Sequence, residues 1–302
     1  MATNNPSKRC GYVAIVGRPN VGKSTLLNRL IGQKISITSR KPQTTRHAIL
    51  GIKTTATEQV VYVDTPGLQQ EARKAMNRYM NRAANSVLRD VDCIVFVLDR
   101  LQWQEQDRWI VKTLAPLKAP ILLAINKVDQ LADKKQLLPF IDSVREYIDV
   151  ADIVPLAALS GANVNRLEHA IKRQLPESDF FFPPDQLTDR SERFLAGEII
   201  REKLVRQLGH EIPYEVAVEV EEFSRSDKLL TIAAVVFVER SGQKAIVIGH
   251  GGQRLRQIGS DARADMEKLF EQKIMLRLWV KVKQGWSDDE RALQSLGMND
   301  LF

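Results

Sequence analysis

The sequence contains little cysteine: Cys10 and Cys93 are the only two among 302 residues, and both lie in apolar, strand-like runs. Two buried cysteines do not make a disulfide framework, so we expect reduced thiols in the cytosol. The chain also lacks any apolar run near the roughly 20 residues that a membrane-spanning helix needs. Its first six residues, Met-Ala-Thr-Asn-Asn-Pro, contain no apolar signal region. These absences predict a cytoplasmic protein without a transmembrane segment.

Acidic residues are outnumbered, with 37 Asp and Glu against 44 Lys and Arg. The resulting net charge of +7 favours a polyanionic partner, either a nucleic acid or a membrane surface. The remaining composition, 44% hydrophobic and 27% charged, is ordinary for a globular protein with a sizeable core. A length of 302 residues predicts two domains.

A phosphate-binding loop organises the first half of the chain. Residues 17–24 read Gly17-Arg18-Pro19-Asn20-Val21-Gly22-Lys23-Ser24, the pattern G-x-x-x-x-G-K-S. An apolar, β-branched run precedes this loop, and a stretch of helical periodicity follows from Thr25. Glycines let main-chain N–H groups surround a phosphate, and the helix N-terminus adds positive partial charge. We expect Lys23 to contact the β- and γ-phosphates and Ser24 to ligate Mg²⁺.

The polar segment 34–47, which follows the first helix, contains a pair of threonines. It is either a plain surface loop or a mobile segment that brings a threonine to the Mg²⁺ of the nucleotide. Its position after a phosphate loop favours the second interpretation. Thr45 is the first choice for this ligand and Thr44 the second.

A β-rich run ends in Asp64-Thr65-Pro66-Gly67, the pattern D-x-x-G, forty residues after Ser24. Asp64 can hold Mg²⁺ through water, and the N–H of Gly67 can sense a γ-phosphate. A Ras-like enzyme carries a water-orienting glutamine directly after this glycine, whereas this chain has Leu68. No side chain in the sequence is therefore an obvious catalytic base.

The tetrapeptide Asn126-Lys127-Val128-Asp129 follows another buried strand and has the pattern N-K-x-D. The Asp129 carboxylate can accept both N1–H and the 2-amino group of guanine, which adenine does not offer. Asn126 can engage the other edge of the base and tie down the loop. The stem of Lys127 can cover the base face. These residues predict guanine specificity.

Strands and helices alternate through this half of the chain, which predicts a doubly wound, mostly parallel sheet with ligand loops at the strand ends. The predicted strands cover residues 11–16, 59–64, 92–99, 120–125 and 153–156. The predicted helices cover residues 25–31, 72–89, 104–114, 134–147 and 164–174.

Together these motifs resemble the translation-factor-like GTPases, and the loop 17–24 with Gln43-Thr44-Thr45-Arg46-His47 resembles the Era family. The resemblance implies GTP or GDP and Mg²⁺ as ligands and a slow intrinsic rate. It places catalytic contributions at Lys23, Thr45, Gly67 and Asn20. Related GTPases with this loop use K⁺ at the asparagine, so Asn20 is a candidate ligand for that ion.

The resemblance also extends the nucleotide site to Ala157 and Ala158, which follow the last strand of this half. The family usually reads Ile-Ser-Ala here, whereas this chain reads Leu156-Ala157-Ala158 and lacks the serine hydroxyl. The N–H of Ala158 is expected at guanine O6.

A proline-rich stretch at 175–185, with the triplet Phe180-Phe181-Phe182, predicts an interdomain linker whose aromatic rings pack on one of the domains. The expected division is a GTPase domain at 1–178, a linker at 179–189 and a second domain at 190–302. In the second domain we predict helices at 190–208 and 253–270. Strands are predicted at 215–222, 229–238 and 273–283, and Ser287 is expected to cap a short final helix.

The Era resemblance implies that this second domain is a smaller α+β type II KH domain, which binds RNA. Residues 245–248 have the propensity of a strand, but the resemblance implies a helix there, before the G-x-x-G loop Gly249-His250-Gly251-Gly252. Residues 241–283 carry nine Lys or Arg against four acidic residues, which favours RNA binding. The expected RNA contacts are Lys244, Ile248, Gly249, His250, Gly251, Gly252, Arg254 and Arg256.

The resemblance therefore implies a GTP-hydrolysing switch protein that binds 16S ribosomal RNA near its 3′ end and acts in small ribosomal subunit assembly. We expect a monomer. One alternative is an RNA-binding scaffold that uses GTP as a structural ligand. Another is a GTPase that acts on a protein or membrane partner, with peripheral contact at the inner face of the cell membrane.

Overall fold

The structure is a computed structural model that describes residues 7–39, 41, 44–68, 70, 74–208 and 215–295. It contains one sheet of six strands and one of three. Each sheet packs against its own helices, with an apolar core cluster on each face of the larger sheet and one cluster on the smaller sheet. Among the described residues, no helix is both long and apolar enough to cross a bilayer.

The first sheet has the strand order β2-β3-β1-β4-β5-β6, and every neighbouring pair is parallel except β2 with β3. Its elements in chain order are β1 (Arg9–Val16), α1 (Lys23–Ile31), β2 (Ile49–Thr54), β3 (Glu58–Asp64), α2 (Ala75–Arg89), β4 (Cys93–Asp99), α3 (Glu105–Leu114), β5 (Ile121–Asn126), α4 (Leu137–Arg145), β6 (Asp152–Pro155) and α5 (Val164–Lys172).

Helices cover both faces of this sheet, which explains why its central strands read as continuous apolar runs. Alternate residues of β4 point to opposite faces: Phe96 packs in one core cluster and Val95 in the other. The doubly wound, mostly parallel sheet predicted from the sequence is confirmed. It places the loops after β1, β3, β5 and β6 at one edge.

The second sheet has the order β7-β8-β9, antiparallel between the first two strands and parallel between the last two. The elements are α6 (Glu192–Gln207), β7 (Val216–Arg225), β8 (Leu230–Val238), α7 (Ser241–Ile248), α8 (Gln253–Phe270), β9 (Ile274–Val282) and α9 (Glu290–Ser295). This α-β-β-α-α-β order agrees with the smaller α+β domain expected from the resemblance.

The segment 245–248 is helical, so the strand that its propensity favours is wrong. Val247 is fully buried against the second core, and the Gln243 side chain accepts the N–H groups of Glu239 and Arg240 at the helix start. Burial of one helical face thus overrides β propensity. Gly249 ends the helix with a φ of 71°.

Three further details differ from the sequence-based expectations. The antiparallel edge strand β2 was not predicted. The segment predicted as one helix at 134–147 begins as a short 3₁₀ turn before α4. Ser287 is buried and does not cap the last helix, because Asp289 accepts the N–H groups of Arg291 and Ala292 there. Residues 72 and 73 of the predicted second helix lie outside the described residues.

The linker lies along the first sheet. Buried Gln59 accepts the N–H groups of Phe181 and Phe182, and the Phe181 ring stacks on Tyr12 at 5.4 Å. Further along, the N–H of Ile52 donates to the Leu187 carbonyl. The linker is therefore fixed to the first domain through main-chain contacts as well as through its aromatic rings.

Candidate nucleotide site and RNA groove

One pocket collects the motifs of the first domain at the carboxyl edge of its sheet. The predicted site residues that line it are Pro19, Asn20, Gly22, Lys23, Ser24, Thr25, Thr45, Gly67, Asn126, Lys127, Asp129 and Ala158. Six other predicted residues are not among those that line it: Gly17, Arg18, Val21, Thr65, Pro66 and Ala157. Asp64 lies beneath the pocket, in hydrogen-bond contact with Ser24.

The phosphate loop needs glycine at its close approaches. Gly22 has a φ of 105°, and a Cβ there would lie 2.3 Å from Asn126 Nδ2. The ammonium of Lys23 is buried and donates to the carbonyls of Gly17 and Arg18, both at 3.0 Å. Burial lowers the pKa of Lys23 to about 8, with Asp64 opposing this shift and Arg18 adding to it.

Three oxygen-bearing side chains converge below the phosphate loop. Ser24 Oγ lies 2.7 Å from Asp64 Oδ2 and 2.7 Å from Thr45 Oγ1, and Thr45 Oγ1 lies 3.4 Å from the same carboxylate oxygen. Burial raises the pKa of Asp64, which hydrogen bonds from the hydroxyls and the charge of Lys23 oppose. Asp64 Oδ1 is buried without a hydrogen-bond partner among the described residues. Hydroxyl and carboxylate oxygens with one unused lone-pair donor fit a hard divalent cation.

The geometry distinguishes the two threonines of the polar segment. Thr45 turns toward Ser24, whereas Thr44 Oγ1 donates to the Lys41 carbonyl within its own loop. Ser36, which the sequence did not suggest, also donates to Asp64 Oδ2 at 2.8 Å. No motif marks Ser36, because its contact joins residues 28 positions apart.

Asn126 connects three loops at the base-binding end. Its Nδ2 donates to the Val21 carbonyl at 2.8 Å, and its Oδ1 accepts the N–H groups of Lys127 at 2.8 Å and Ala158 at 2.9 Å. The contact of the Ala158 N–H with guanine O6 stays a prediction, and it requires this donor to leave Asn126 when the base binds. These three hydrogen bonds agree with the prediction that Asn126 ties down the loop.

Lys127 crosses the pocket to the phosphate loop, with a φ of 61° that starts the turn after β5. Its ammonium donates to the Asn20 carbonyl and to Asp99 Oδ2, both at 2.8 Å. Burial would raise the pKa of Asp99, but hydrogen bonds from Lys127 and Arg100 bring it below its ordinary value. Asp129 is exposed and lines the pocket, where its carboxylate is accessible to a base.

The Arg18 side chain leaves the pocket and pairs with buried Asp107 in the first turn of α3, with Nε 3.0 Å and 3.2 Å from the two oxygens. Only the main chain of Arg18 is thus available to a phosphate. Leu68 is buried in the core, so it contributes no polar group to the site.

A second candidate site is a groove between α8 and β9. Its apolar lining comes from Leu255, Leu276 and Leu278, and Arg256 and Arg263 supply positive charge. Gly252 lines the end of the groove where α8 begins. A Cβ on Gly259 would lie 3.4 Å from Leu278 Cδ1, so the glycine keeps the groove floor open.

Four of the eight predicted RNA-binding residues lie along the groove or on the turn at its end, and the other four lie elsewhere on α7, on α8 or within the turn. Gly252 and Arg256 line the groove, and exposed His250 and Gly251 lie on the turn at its end. Arg254 instead folds back and donates to the Ile246 carbonyl, while Ile248 packs on the core. Lys244 is exposed on α7, and Gly249 forms the turn, where a Cβ would lie 2.8 Å from Arg254 Cβ.

Six groove residues were not among the predicted RNA contacts: Leu255, Gly259, Ser260, Arg263, Leu276 and Leu278. Their spacing contains a usable signal. Residues 252, 256, 259 and 263 recur at helical spacing on one face of α8, and 276 and 278 alternate along β9.

Comparison with known proteins gives the same two halves. A family described as "50S ribosome-binding GTPase" matches residues 12–127, and one described as "KH domain" matches residues 211–287. GTPase Era of Ectopseudomonas mendocina is 58% identical over 298 residues, which cover 99% of this chain and 100% of that relative. The chain belongs to the Era family of GTPases. Era of Marinobacter nauticus is also 58% identical, over 98% of this chain and 97% of its own length.

Solved Era structures share the whole architecture. An Aquifex aeolicus Era variant bound to GDP and AlF₄⁻ superposes with a TM-score of 0.93 at 38% identity, covering 96% of this chain and 99% of that one. An Era complex with MgGDPNP and nucleotides 1506–1542 of 16S ribosomal RNA gives the same TM-score, identity and coverage. The predicted GTPase domain followed by a KH domain is confirmed.

Proposed function

We propose that this protein is a GTP-hydrolysing switch that binds 16S ribosomal RNA near its 3′ end and acts in small ribosomal subunit assembly. RNA binding is supported above all by the groove that opens at the G-x-x-G turn, which is lined by both apolar and cationic side chains. A solved structure of an Era relative contains both MgGDPNP and a 16S fragment.

The residues of the nucleotide pocket support distinct roles in hydrolysis. Lys23 holds negative charge on the β- and γ-phosphates, and Asp129 accepts the two donors of the guanine edge. Gly67 lines the pocket, and its N–H would contact the γ-phosphate. Since Leu68 is buried, water is oriented without a side chain at that position. Asn20, at a φ of 66° on the pocket lining, is the proposed ligand for K⁺.

Ser24, Thr45 and Asp64 are the residues that would hold Mg²⁺. Charge on the β- and γ-phosphates is neutralised when Mg²⁺ is bound there. The hydroxyl oxygens of Ser24 and Thr45 lie 2.7 Å apart, and Ser24 Oγ lies 2.7 Å from the Asp64 carboxylate. The three side chains are therefore already grouped at one place, and the ion would replace the hydrogen bonds between them.

The RNA groove follows the pattern in which a G-x-x-G turn clamps a single-stranded backbone and bases lie along the adjoining groove. Leu255, Leu276 and Leu278 supply an apolar surface for bases, and Arg256 and Arg263 supply charge for phosphates. Exposed His250 and Gly251 leave the turn open to a close backbone approach.

The double substitution His250→Asp and Gly251→Asp tests this proposal. A Cβ on Gly251 would meet nothing within 4 Å, although its φ of 55° strains any other residue there, and the two carboxylates repel phosphate at the turn. We expect affinity for a 3′-terminal 16S fragment to fall at least about tenfold in filter binding, with GTP affinity unchanged.

Lys228→Asp is the matched control, because it changes the net charge by the same two units. Lys228 lies in the β7–β8 turn, close to the C-terminal end of α8, where Gln272 donates to Ser226. The 18 residues of α8 separate it from the G-x-x-G turn by roughly 27 Å. Equal RNA binding by wild type and the double variant would contradict the proposed groove.

A turnover assay distinguishes a switch from a scaffold that holds GTP as a structural ligand, since only the switch releases phosphate. A domain division at 1–178, 179–189 and 190–302, a cytoplasmic location and a monomeric state belong to the same proposal. Co-sedimentation with anionic vesicles tests the alternative, in which the protein contacts a membrane partner at the inner face of the cell membrane.

A further inference from the structure

The second domain contacts the polar segment that carries Thr45. We name the described residues 34–39, 41 and 44–47 the switch I segment. Its neighbours on α6 are charged and almost fully buried: Glu202 has no exposed surface and Arg201 is 3% exposed. The switch I segment therefore lies between the nucleotide pocket and a helix of the other domain.

Arg201 contacts the main chain of the switch I segment directly. Its Nη2 donates to the carbonyl of Thr44, the residue before the proposed metal ligand. The same guanidinium forms a two-pronged pair with Glu198, with Nε 2.7 Å and Nη2 2.6 Å from the two carboxylate oxygens. Such a fork fixes the orientation of an arginine as well as its position.

Burial alone would raise the pKa of Glu198, but Arg201, His47 and Arg46 hold it below its ordinary value. The carboxylate is thus charged at neutral pH and holds the guanidinium in place. Because Glu198 and Arg201 lie three residues apart on one helix, they form a rigid unit that presents a donor to Thr44.

Residues on both sides of Thr44 also contact the second domain. On one side, Glu202 accepts the N–H of Thr38 at 2.9 Å, and Arg206 donates to the Thr38 carbonyl at 2.9 Å. On the other, Arg46 Nη1 donates to the Val216 carbonyl at 2.7 Å. The second domain thus contacts the main chain or side chain of residues before and after Thr45.

Thr45 itself faces the opposite way, with its hydroxyl 2.7 Å from Ser24 Oγ. The Thr44 carbonyl and the Thr45 N–H belong to one planar peptide group. Holding that carbonyl on the second domain therefore fixes the peptide from which the Thr45 side chain extends toward Ser24.

We infer that Arg201 is a positioning residue for GTP hydrolysis: by holding the Thr44 carbonyl, it places the Thr45 hydroxyl beside Ser24 and Asp64, where Mg²⁺ would bind. This inference rests on the proposed function and deepens it. It assigns a role in the nucleotide site to a residue of the second domain, more than 150 positions away in the sequence.

The test compares Arg201→Ala and Arg201→Lys with Arg193→Ala in the full-length protein. Arg201→Lys keeps a positive charge beside Glu198, which guards against loss of folding, but a single ammonium lacks the second arm of the fork. Arg193, on the same helix, donates to the carbonyls of Val220 and Glu221 within the second domain. It therefore controls for damage to α6 that leaves the switch I segment intact.

The principal readout is the affinity for a fluorescent, non-hydrolysable GTP analogue, measured in Mg²⁺ and in EDTA. We expect both Arg201 variants to lose about tenfold or more of the gain in affinity that Mg²⁺ provides, with the affinity in EDTA unchanged. The turnover number should fall at limiting Mg²⁺ and recover in part at high Mg²⁺. Arg193→Ala should match wild type in every measurement.

The outcomes separate the inference from the proposed function. If wild type binds the analogue and hydrolyses GTP but the Arg201 variants keep the full Mg²⁺ gain, Arg201 is not a positioning residue. An equal loss in Arg193→Ala would also overturn the inference, since the effect would come from helix damage. Absence of turnover in wild type would instead contradict the proposed enzyme, while the Mg²⁺ measurement would still decide on Arg201.

Discussion

Alkaline pH should weaken nucleotide binding, because the Lys23 ammonium, which we propose contacts the phosphates, is buried. Lys23 is 6% exposed and donates to two loop carbonyls, Gly17 and Arg18. Burial lowers its pKa from an ordinary value of 10.5 to about 8. Without nucleotide, most molecules therefore carry a neutral Lys23 at pH 9, and binding to phosphates requires the charged form.

The size of the effect follows from this pKa. Bound phosphate restores the ammonium, so binding takes up a proton wherever free Lys23 is neutral. The charged fraction of free protein falls from about nine-tenths at pH 7 to about one-tenth at pH 9. The dissociation constant should consequently rise about tenfold over this range, which corresponds to about 1.4 kcal/mol.

Rising pH has opposite effects on folding stability and on nucleotide affinity. The folded pKa of Lys23 lies below the ordinary value, so its charge costs stability below pH 8. That cost disappears as the pH rises from 8 toward 10.5. Nucleotide-free protein should thus lose less stability in alkali than Lys23→Met does, while its affinity for nucleotide declines.

Calorimetric titration with a non-hydrolysable GTP analogue, in two buffers of different ionisation enthalpy, measures both affinity and proton uptake. Uptake should rise from about 0.1 proton at pH 7 to about 0.9 at pH 9. Guanine N1 also titrates in alkali, so Lys23→Met supplies the baseline. Equal pH slopes in wild type and Lys23→Met would refute the reasoning, because the proton would then belong to another group.

Two further predictions concern the ends of the pocket. Asp129→Asn should shift preference from GTP toward xanthosine triphosphate, whose C2 oxygen suits an amide donor; competition binding that still favours GTP by the wild-type factor would remove Asp129 as the base reader. Hydrolysis should be faster in K⁺ than in Na⁺ at equal ionic strength and saturating Mg²⁺, and Asn20→Ala should abolish this difference while GTP binding persists. Equal wild-type rates in the two salts would contradict a cation site at Asn20.

Much of the first domain could be predicted because its ligand chemistry constrains contiguous residues. The spacing of G-x-x-x-x-G-K-S is set by the size of a phosphate, so eight adjacent residues suffice to locate the loop. The same holds for N-K-x-D after β5. Edge strand β2 escaped prediction because residues 48–54 follow directly on the polar threonine segment, and no turn signal separates the two.

Contacts between distant residues could not be predicted from these motifs. Arg18 looks like part of a phosphate loop, but its charge is matched by Asp107, 89 positions later. Arg254 has the charge and place of an RNA contact, yet it hydrogen-bonds to the carbonyl end of α7. In both cases the local pattern gives the correct element, and tertiary pairing decides the direction of the side chain.

The switch I segment shows why a polar composition need not indicate a surface loop. Arg46 is 1% exposed and His47 is 6% exposed, because each lies between the two domains. Burial lowers the pKa of His47 to about 4, with neighbouring arginines adding to this shift, so the ring is neutral at physiological pH. Its edge packs against the ring of Phe194 on α6 at 5.3 Å between centroids.

Two sets of partners therefore act on the same short segment. The hydroxyls of Ser36 and Thr45 form hydrogen bonds with the Asp64 carboxylate, whereas Thr38 and Thr44 form hydrogen bonds with residues of α6. A divalent cation that binds at Asp64 and shifts the segment would change the free energy of its contacts with α6. By thermodynamic reciprocity, if nucleotide binding changes the affinity of the second domain for a partner by some factor, that partner changes the nucleotide affinity by the same factor. Contacts of one short segment with both Asp64 and α6 thus supply a physical route between the nucleotide pocket and the domain that carries the candidate RNA groove.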